Sequence, residues 1–219
     1  MQDRSKASDI TYVASDTDLR AVCAALRDVA WLAFDSEFVR TNTYFPKPGL
    51  FQLSDGVHTW LIDPLPIEDW TGFARLVSRD SVTVVIHSSS EDLGLLRTFL
   101  NTLPANLYDT QRAAAFTGAA YSLSYQALVE AELGIAVPKG ETRSDWLRRP
   151  LSESQLDYAA LDVAHLLKLA ERLTARLTQL DRLAWFEEDC RELLAGVPDE
   201  YNSALWETAY RTVGGAWQL

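Results

Sequence analysis

One short stretch limits the possible folds more than any other: Val29-Ala30-Trp31-Leu32-Ala33-Phe34 is an almost continuous apolar run that breaks at Asp35-Ser36-Glu37. A run of this kind fits a strand covered on both faces, as in a sheet flanked by helices, whose far end presents polar side chains. Val82-Thr83-Val84-Val85-Ile86 repeats the pattern with β-branched residues that suit a buried pleated surface, and it stops at His87-Ser88. In open α/β sheets, sites collect beyond such strand ends.

The intervening chain supports this reading. Leu19, Val22, Leu26 and Val29 recur at helical spacing after Ser15 and Asp16, either of which suits a cap, so a helix is expected over 16–29. Leu50 to Leu53 and Thr59 to Ile62 flank Ser54-Asp55-Gly56, and the Asp-Gly pair is a strong hairpin signal. A helix is expected around Trp70 to Val77 and another from Glu91 to Leu100; Leu107-Tyr108-Asp109 reads as a short strand, with helices from there onward. Strands alternating with helices ahead of a helical remainder predict an α/β domain with a mixed sheet. Residues 181–219 differ in character, with Trp185, Phe186, Trp206, Tyr210 and Trp217 set in an acidic segment, and read as an appended helical arm.

With 219 residues, 47% of them hydrophobic, the chain can bury the core of one domain with a small appendage. Its 20 Lys and Arg against 31 Asp and Glu give a formal charge of −11, which counts against a broad basic nucleic-acid surface. Two bound divalent cations would add +4 and move −11 to −7, reversing the field locally. Cys23 and Cys190 lie far apart in no zinc or disulfide pattern and read as reduced, buried thiols. The polar start Met1-Gln2-Asp3-Arg4-Ser5-Lys6 lacks the apolar stretch of a signal peptide, and no run reaches the roughly 18 apolar residues that span a bilayer. A cytoplasmic protein with no membrane or protein partner is the expectation.

Three sets of residues carry chemistry. Asp35 and Glu37 sit two apart on a strand, so both side chains face one way. Asp92 falls where the second buried strand gives way to a helix, and Tyr158 and Asp162 lie four apart on an Ala-rich helix, hence on one face. Each alone is ordinary: a solvated strand end, a helix-start acid, a Tyr bonded to an Asp one turn on. Together, four carboxylates and a phenol meet the demand of hard cations for oxygen ligands, and two-metal phosphoryl chemistry uses such a set.

These residues carry a resemblance. The chain resembles the ribonuclease D family, the tyrosine subtype of the DEDD 3′-5′ exonucleases, through Phe34-Asp35-Ser36-Glu37-Phe38-Val39-Arg40 with Thr43-Tyr44-Phe45-Pro46 and Leu50-Phe51-Gln52. His87-Ser88 with Glu91-Asp92-Leu93 matches the second motif, and Tyr158-Ala159-Ala160-Leu161-Asp162-Val163 the third. Between them Asp109-Thr110-Gln111, Ala113-Ala114-Ala115-Phe116, Lys139, Thr142-Arg143-Ser144-Asp145-Trp146 and Arg149-Pro150-Leu151 also recur, in order, so the likeness covers roughly residues 10–180.

The resemblance implies a ribonuclease H-like, proofreading-exonuclease-like fold with a mixed five-stranded sheet flanked by helices. It implies a catalytic domain over 1–180 and an arm over 181–219 leading toward a C-terminal helical RNA-binding domain that the chain stops short of. It also implies two metal ions, Mg²⁺ or Mn²⁺, with Asp35 bridging both, Glu37 and Asp162 helping to hold one, and Asp92 the other. Tyr158 would position the attacking water, since a phenol with a pKa of about 10 is a poor base at neutral pH. The implied substrate is RNA with a free 3′ end, tRNA precursors among others.

Substrate contacts are expected from Lys139, Arg143, Arg148 and Arg149, the densest basic cluster, and from Arg40. Gln52 and His87 are expected to line the cleft, with Phe38 and Tyr44 stacking on terminal bases. A DNA exonuclease of the same superfamily differs only in its response to the 2′-OH, and a catalytically silent RNA-binding scaffold is the alternative of another class; the complete set of acids and Tyr158 argues against the latter.

Overall fold

A computed structural model describes residues 9–40, 45–138, 140–141 and 144–198. The elements run β1 (Asp9–Val13), α1 (Asp16–Ala25), β2 (Trp31–Val39), β3 (Lys47–Ser54), β4 (His58–Ile62), α2 (Thr71–Val77), β5 (Thr83–Ile86), α3 (Ser90–Leu100), β6 (Asn106–Asp109), α4 (Thr110–Phe116), α5 (Tyr125–Leu133), α6 (Glu153–Ala164), α7 (Leu166–Gln179) and α8 (Leu183–Ala195).

The strands form one mixed sheet in the order β1-β4-β3-β2-β5-β6. The β2-β3 and β3-β4 pairs are antiparallel and the remaining pairs parallel. Six strands stand where five are expected. The additional one, β1, lies on the edge with all but Val13 exposed, so it shows neither the apolar run nor the alternation that reveals a buried strand.

The Asp-Gly signal is realised as the β3-β4 hairpin, with Gly56 at φ +90° and Asp55 Oδ1 accepting from Val57 N at 2.8 Å and His58 N at 2.7 Å. The first helix keeps its Ser15 cap but ends at Ala25, short of Val29. That frees four residues to turn the chain into β2.

Alternation along β2 divides two cores. Leu32 and Phe34 face the layer of α1, α2 and α3, where Phe34, Phe51 and Phe73 pack ring on ring and Phe99 joins Phe51. Trp31, Ala33, Asp35 and Glu37 point the other way, toward α6 and α7. There a smaller cluster of Leu50, Leu61, Trp146, Leu151, Ala159 and Ala160 seats α6 against β3 and β4. From the arm, α8 buries Phe186 and Cys190 in the main core and leaves Trp185 exposed; Trp206, Tyr210 and Trp217 lie outside the described residues. Cys190 is buried and Cys23 half-buried, both free thiols, not two fully buried ones as expected. Among the described residues no helix is long and apolar enough to cross a membrane.

Candidate active site

Asp35 and Glu37 do not stand at the end of β2, as expected from the break in the apolar run, but inside it, because the strand continues to Val39 paired with β3. The pairing shifts between Glu37 and Phe38, leaving Gly49 as the extra residue on β3. A Cβ there would stand 2.6 Å from Trp146 Cβ, so only glycine lets Trp146 lie on the bulge. The segment around Trp146 is held further by Arg149, which donates to both Asp63 oxygens at 2.6 and 2.7 Å and to Gly49 O at 2.7 Å, while Tyr12 donates to Asp63 at 2.6 Å. Just beyond, Ser152 and Gln155 form a reciprocal capping box that starts α6. The start of α6 is thereby fixed, and Tyr158 and Asp162 sit one and two turns further along it.

Asp92 arrives from the other layer. Asp109, at the end of β6, accepts from Ser88 N at 3.2 Å, Ser89 N at 2.9 Å and Ser89 Oγ at 2.8 Å, and it also caps α4 through Gln111 N and Arg112 N. This ties down the β5-α3 turn, where Ser88 has φ +60°, and α3 starts directly after it. Ser36 points to the α3 face and donates to Asp92 Oδ1 at 2.5 Å. Ser36 is a site residue the sequence reading missed; its place between Asp35 and Glu37, on the opposite face of the strand, was the available signal.

The acids converge. Asp35, Glu37 and Asp162 each offer a carboxylate oxygen within 4.8 Å of the others. Burial, then Asp92, Asp162 and Glu37, push Asp35 well above the usual carboxylate range. Burial raises Glu37 to about 8, with Asp162 and Asp92 adding to it. Burial likewise lifts Asp92 to about 7 against the opposing Ser36 hydrogen bond, and Asp162 to about 7 against the Tyr158 hydroxyl. Four half-buried to buried acids brought this close repel one another, and a hard divalent metal ion is what this oxygen donor set fits. The Tyr158 phenol is pushed above its ordinary 10 by burial and by Asp162, Glu37 and Asp35.

The other expected site residues divide. Arg40 is exposed and pairs with Glu91 at 3.3 Å, bridging the end of β2 and the start of α3 beside the acids. Phe38 is half-buried against the main core, and Arg148 is exposed. Arg149 is turned inward onto Asp63, with the side chain of Asp63 only 6% exposed. His87 has both ring nitrogens engaged, by Thr110 Oγ1 at 2.9 Å and Leu123 O at 3.0 Å; because Leu123 O can only accept, the proton sits on Nε2, and burial lowers the pKa. Gln52 is fully buried. Tyr44, Lys139 and Arg143 lie outside the described residues.

The family model described as 3′-5′ exonuclease matches residues 10–178. Ribonuclease D of Pseudomonas paraeruginosa is 44% identical over 213 residues, covering 97% of this chain and 56% of that protein. Ribonuclease D of Escherichia coli is 40% identical over 207 residues, covering 94% of this chain and 54% of the relative. The crystal structure of the E. coli enzyme, described as an exoribonuclease involved in structured RNA processing, superposes with a TM-score of 0.89 at 38% identity, over 96% of this chain and 56% of that one. The chain thus spans about half the length of the curated relatives it matches. Similarity of this extent, in sequence and in backbone alike, makes the chain a member of the 3′-5′ exonuclease family, in its ribonuclease D branch.

Proposed function

We propose that this chain is the catalytic part of a metal-dependent 3′-5′ exoribonuclease. It would remove 3′-terminal nucleotides from RNA, precursor tRNAs and other structured RNAs among them, and release nucleoside 5′-monophosphates in the cytoplasm. The observation that carries the proposal is the convergence of Asp35, Glu37 and Asp162 within 4.8 Å, with Asp92 close enough to perturb Asp35 and Glu37.

Two divalent ions, Mg²⁺ or Mn²⁺, fit this reading. Asp35 would serve both, as the resemblance to the family implies; Glu37 and Asp162, whose carboxylate oxygens lie within 4.8 Å of its own, would hold one ion with it, and Asp92, held by Ser36, the other. Bound there, divalent ions supply positive charge to the scissile phosphodiester and lower the pKa of the attacking water.

The chain's own residues account for the rest. Tyr158, with its phenol above the ordinary value, stays protonated at neutral pH and orients the water by hydrogen bonding rather than by taking its proton. Arg40, exposed beside the acids, is the cation placed to meet a phosphate, exchanging Glu91 for the substrate. Arg148, Lys139, Arg143, Phe38 and Tyr44 remain candidates for contacts further along the strand. Arg149 is engaged by Asp63, His87 by Thr110 and Leu123, and Gln52 is buried, so these three would support the site from inside the fold.

The test is a time course on 3′-labelled and 5′-labelled single-stranded RNA, with a matched DNA strand, in Mg²⁺ and in EDTA. The 3′ label should appear at once as a mononucleotide while the 5′-labelled strand shortens stepwise, and EDTA should stop both. Cleavage starting from the 5′ end, turnover in EDTA, or preference for DNA contradicts the proposal.

A further inference from the structure

Gln52 stands on β3 directly opposite Asp35 of β2. Opposite neighbours in a sheet put their side chains on the same face, with Cβ atoms about 4.5–5.5 Å apart. Gln52 is 0% exposed, so no substrate can touch it, and neither Oε1 nor Nε2 has a hydrogen-bond partner among the described residues. Orphaning a buried polar group costs about 1–3 kcal/mol, and most buried side-chain polar atoms are paired. The surroundings do not call for an amide. Its neighbour on the far side is Leu61, and the cluster beneath α6 on this face is Leu50, Leu61, Trp146, Leu151, Ala159 and Ala160. Methionine would fill the same space without the penalty.

A polar side chain kept at such a cost beside the acid at the centre of the cluster points to Asp35 as its partner. We propose that Gln52 is a positioning residue: with a divalent cation bound, Gln52 Nε2 donates to a carboxylate oxygen of Asp35 and fixes the orientation in which that acid serves the metal. A neutral donor suits the place, since a lysine would bring a charge that competes with the cation, and a glutamate would add a fifth acid. Groups that orient metal ligands from behind typically change metal affinity 10- to 100-fold when removed. This inference rests on the metal-dependent reading above.

The experiment measures Mn²⁺ binding to the whole chain by isothermal titration calorimetry, and thermal stability in EDTA, for wild type, Gln52→Met and Gln52→Asn. Gln52→Met should bind Mn²⁺ about 10- to 100-fold more weakly, keep or raise its Tm in EDTA, and recover most of its kcat at saturating Mn²⁺. Gln52→Asn keeps an amide one methylene short and leaves a small cavity, so it should be less stable than Gln52→Met yet bind the ion more tightly. Opposite rankings of stability and affinity are the signature, because a purely structural role makes the two fall together. Equal affinity in wild type and Gln52→Met, or affinities that follow the order of stability, overturns the role of Gln52 while leaving the nuclease reading intact. A wild type that binds no Mn²⁺ overturns both.

Discussion

Replacing Glu37 by glutamine should stabilise the metal-free protein at alkaline pH while damaging its activity. Glu37 is raised from 4.5 to about 8 by burial and by Asp162 and Asp92. Below pH 4.5 the group is protonated in both the folded and unfolded chain and contributes no pH dependence. Between 4.5 and about 8 the unfolded chain has lost the proton and the folded chain keeps it, so wild-type stability falls as pH rises, by up to about 1.4 kcal/mol per pH unit. Above about 8 the loss is complete. Taken alone this window sets a ceiling of about 5 kcal/mol, and sharing of protons among the four acids reduces the effect to the order of 2 kcal/mol. Glutamine keeps the shape without the charge. For a chain of this size that is a Tm about 4–8 °C above wild type at pH 8.5 in EDTA, with the difference closing to nothing at pH 4. Differential scanning fluorimetry at the two pH values, with and without Mg²⁺, reads it directly. Added Mg²⁺ should raise wild type far more than the variant. Equal melting of the two proteins at both pH values would refute the raised carboxyl of Glu37.

Other substitutions probe the supports of the site. Tyr158→Phe should lower kcat for RNA with little change in KM, checked by steady-state kinetics at saturating Mg²⁺. Gly140→Ala places a Cβ 2.5 Å from Tyr158 Cδ2 and should also lower kcat, but should cost nothing further in a Tyr158→Phe background, where no hydroxyl remains to misplace; a double-mutant cycle decides. Arg149→Met leaves Asp63 without its bidentate partner and should cost about 2–3 kcal/mol in denaturant unfolding, with RNA affinity lost only in proportion to the unfolded fraction. Glu91→Gln releases Arg40 and should lower KM several-fold at low ionic strength, a gain that disappears in high salt.

Much of this was legible in the sequence because single periodicities report it. The apolar runs before Asp35 and His87 marked the two central strands, the Asp-Gly pair marked the β3-β4 hairpin, and the spacing of four put Tyr158 and Asp162 on one face of α6. Partnership between distant residues was not legible. The sequence offers Arg149 and Arg40 as equal cations, and only the fold shows that Asp63, 86 residues away, claims the first. His87 looks like a free imidazole until Leu123 O and Thr110 meet its two nitrogens. β1 escaped notice because an exposed edge strand needs no apolar face. The loss of apolar character at Asp35 reads as a strand end, whereas β3 keeps pairing with β2 as far as Val39.

On the proposed reading, four acids from three elements hold divalent metal beneath the terminal phosphodiester. Anomalous diffraction from Mn²⁺-soaked crystals of the wild-type chain tests it most directly. Strong anomalous peaks are predicted within coordination distance of Asp35, with Glu37 and Asp162 on one side and Asp92 on the other, and they should vanish in Asp35→Asn crystals. Peaks elsewhere on the molecule with none at Asp35 would contradict it.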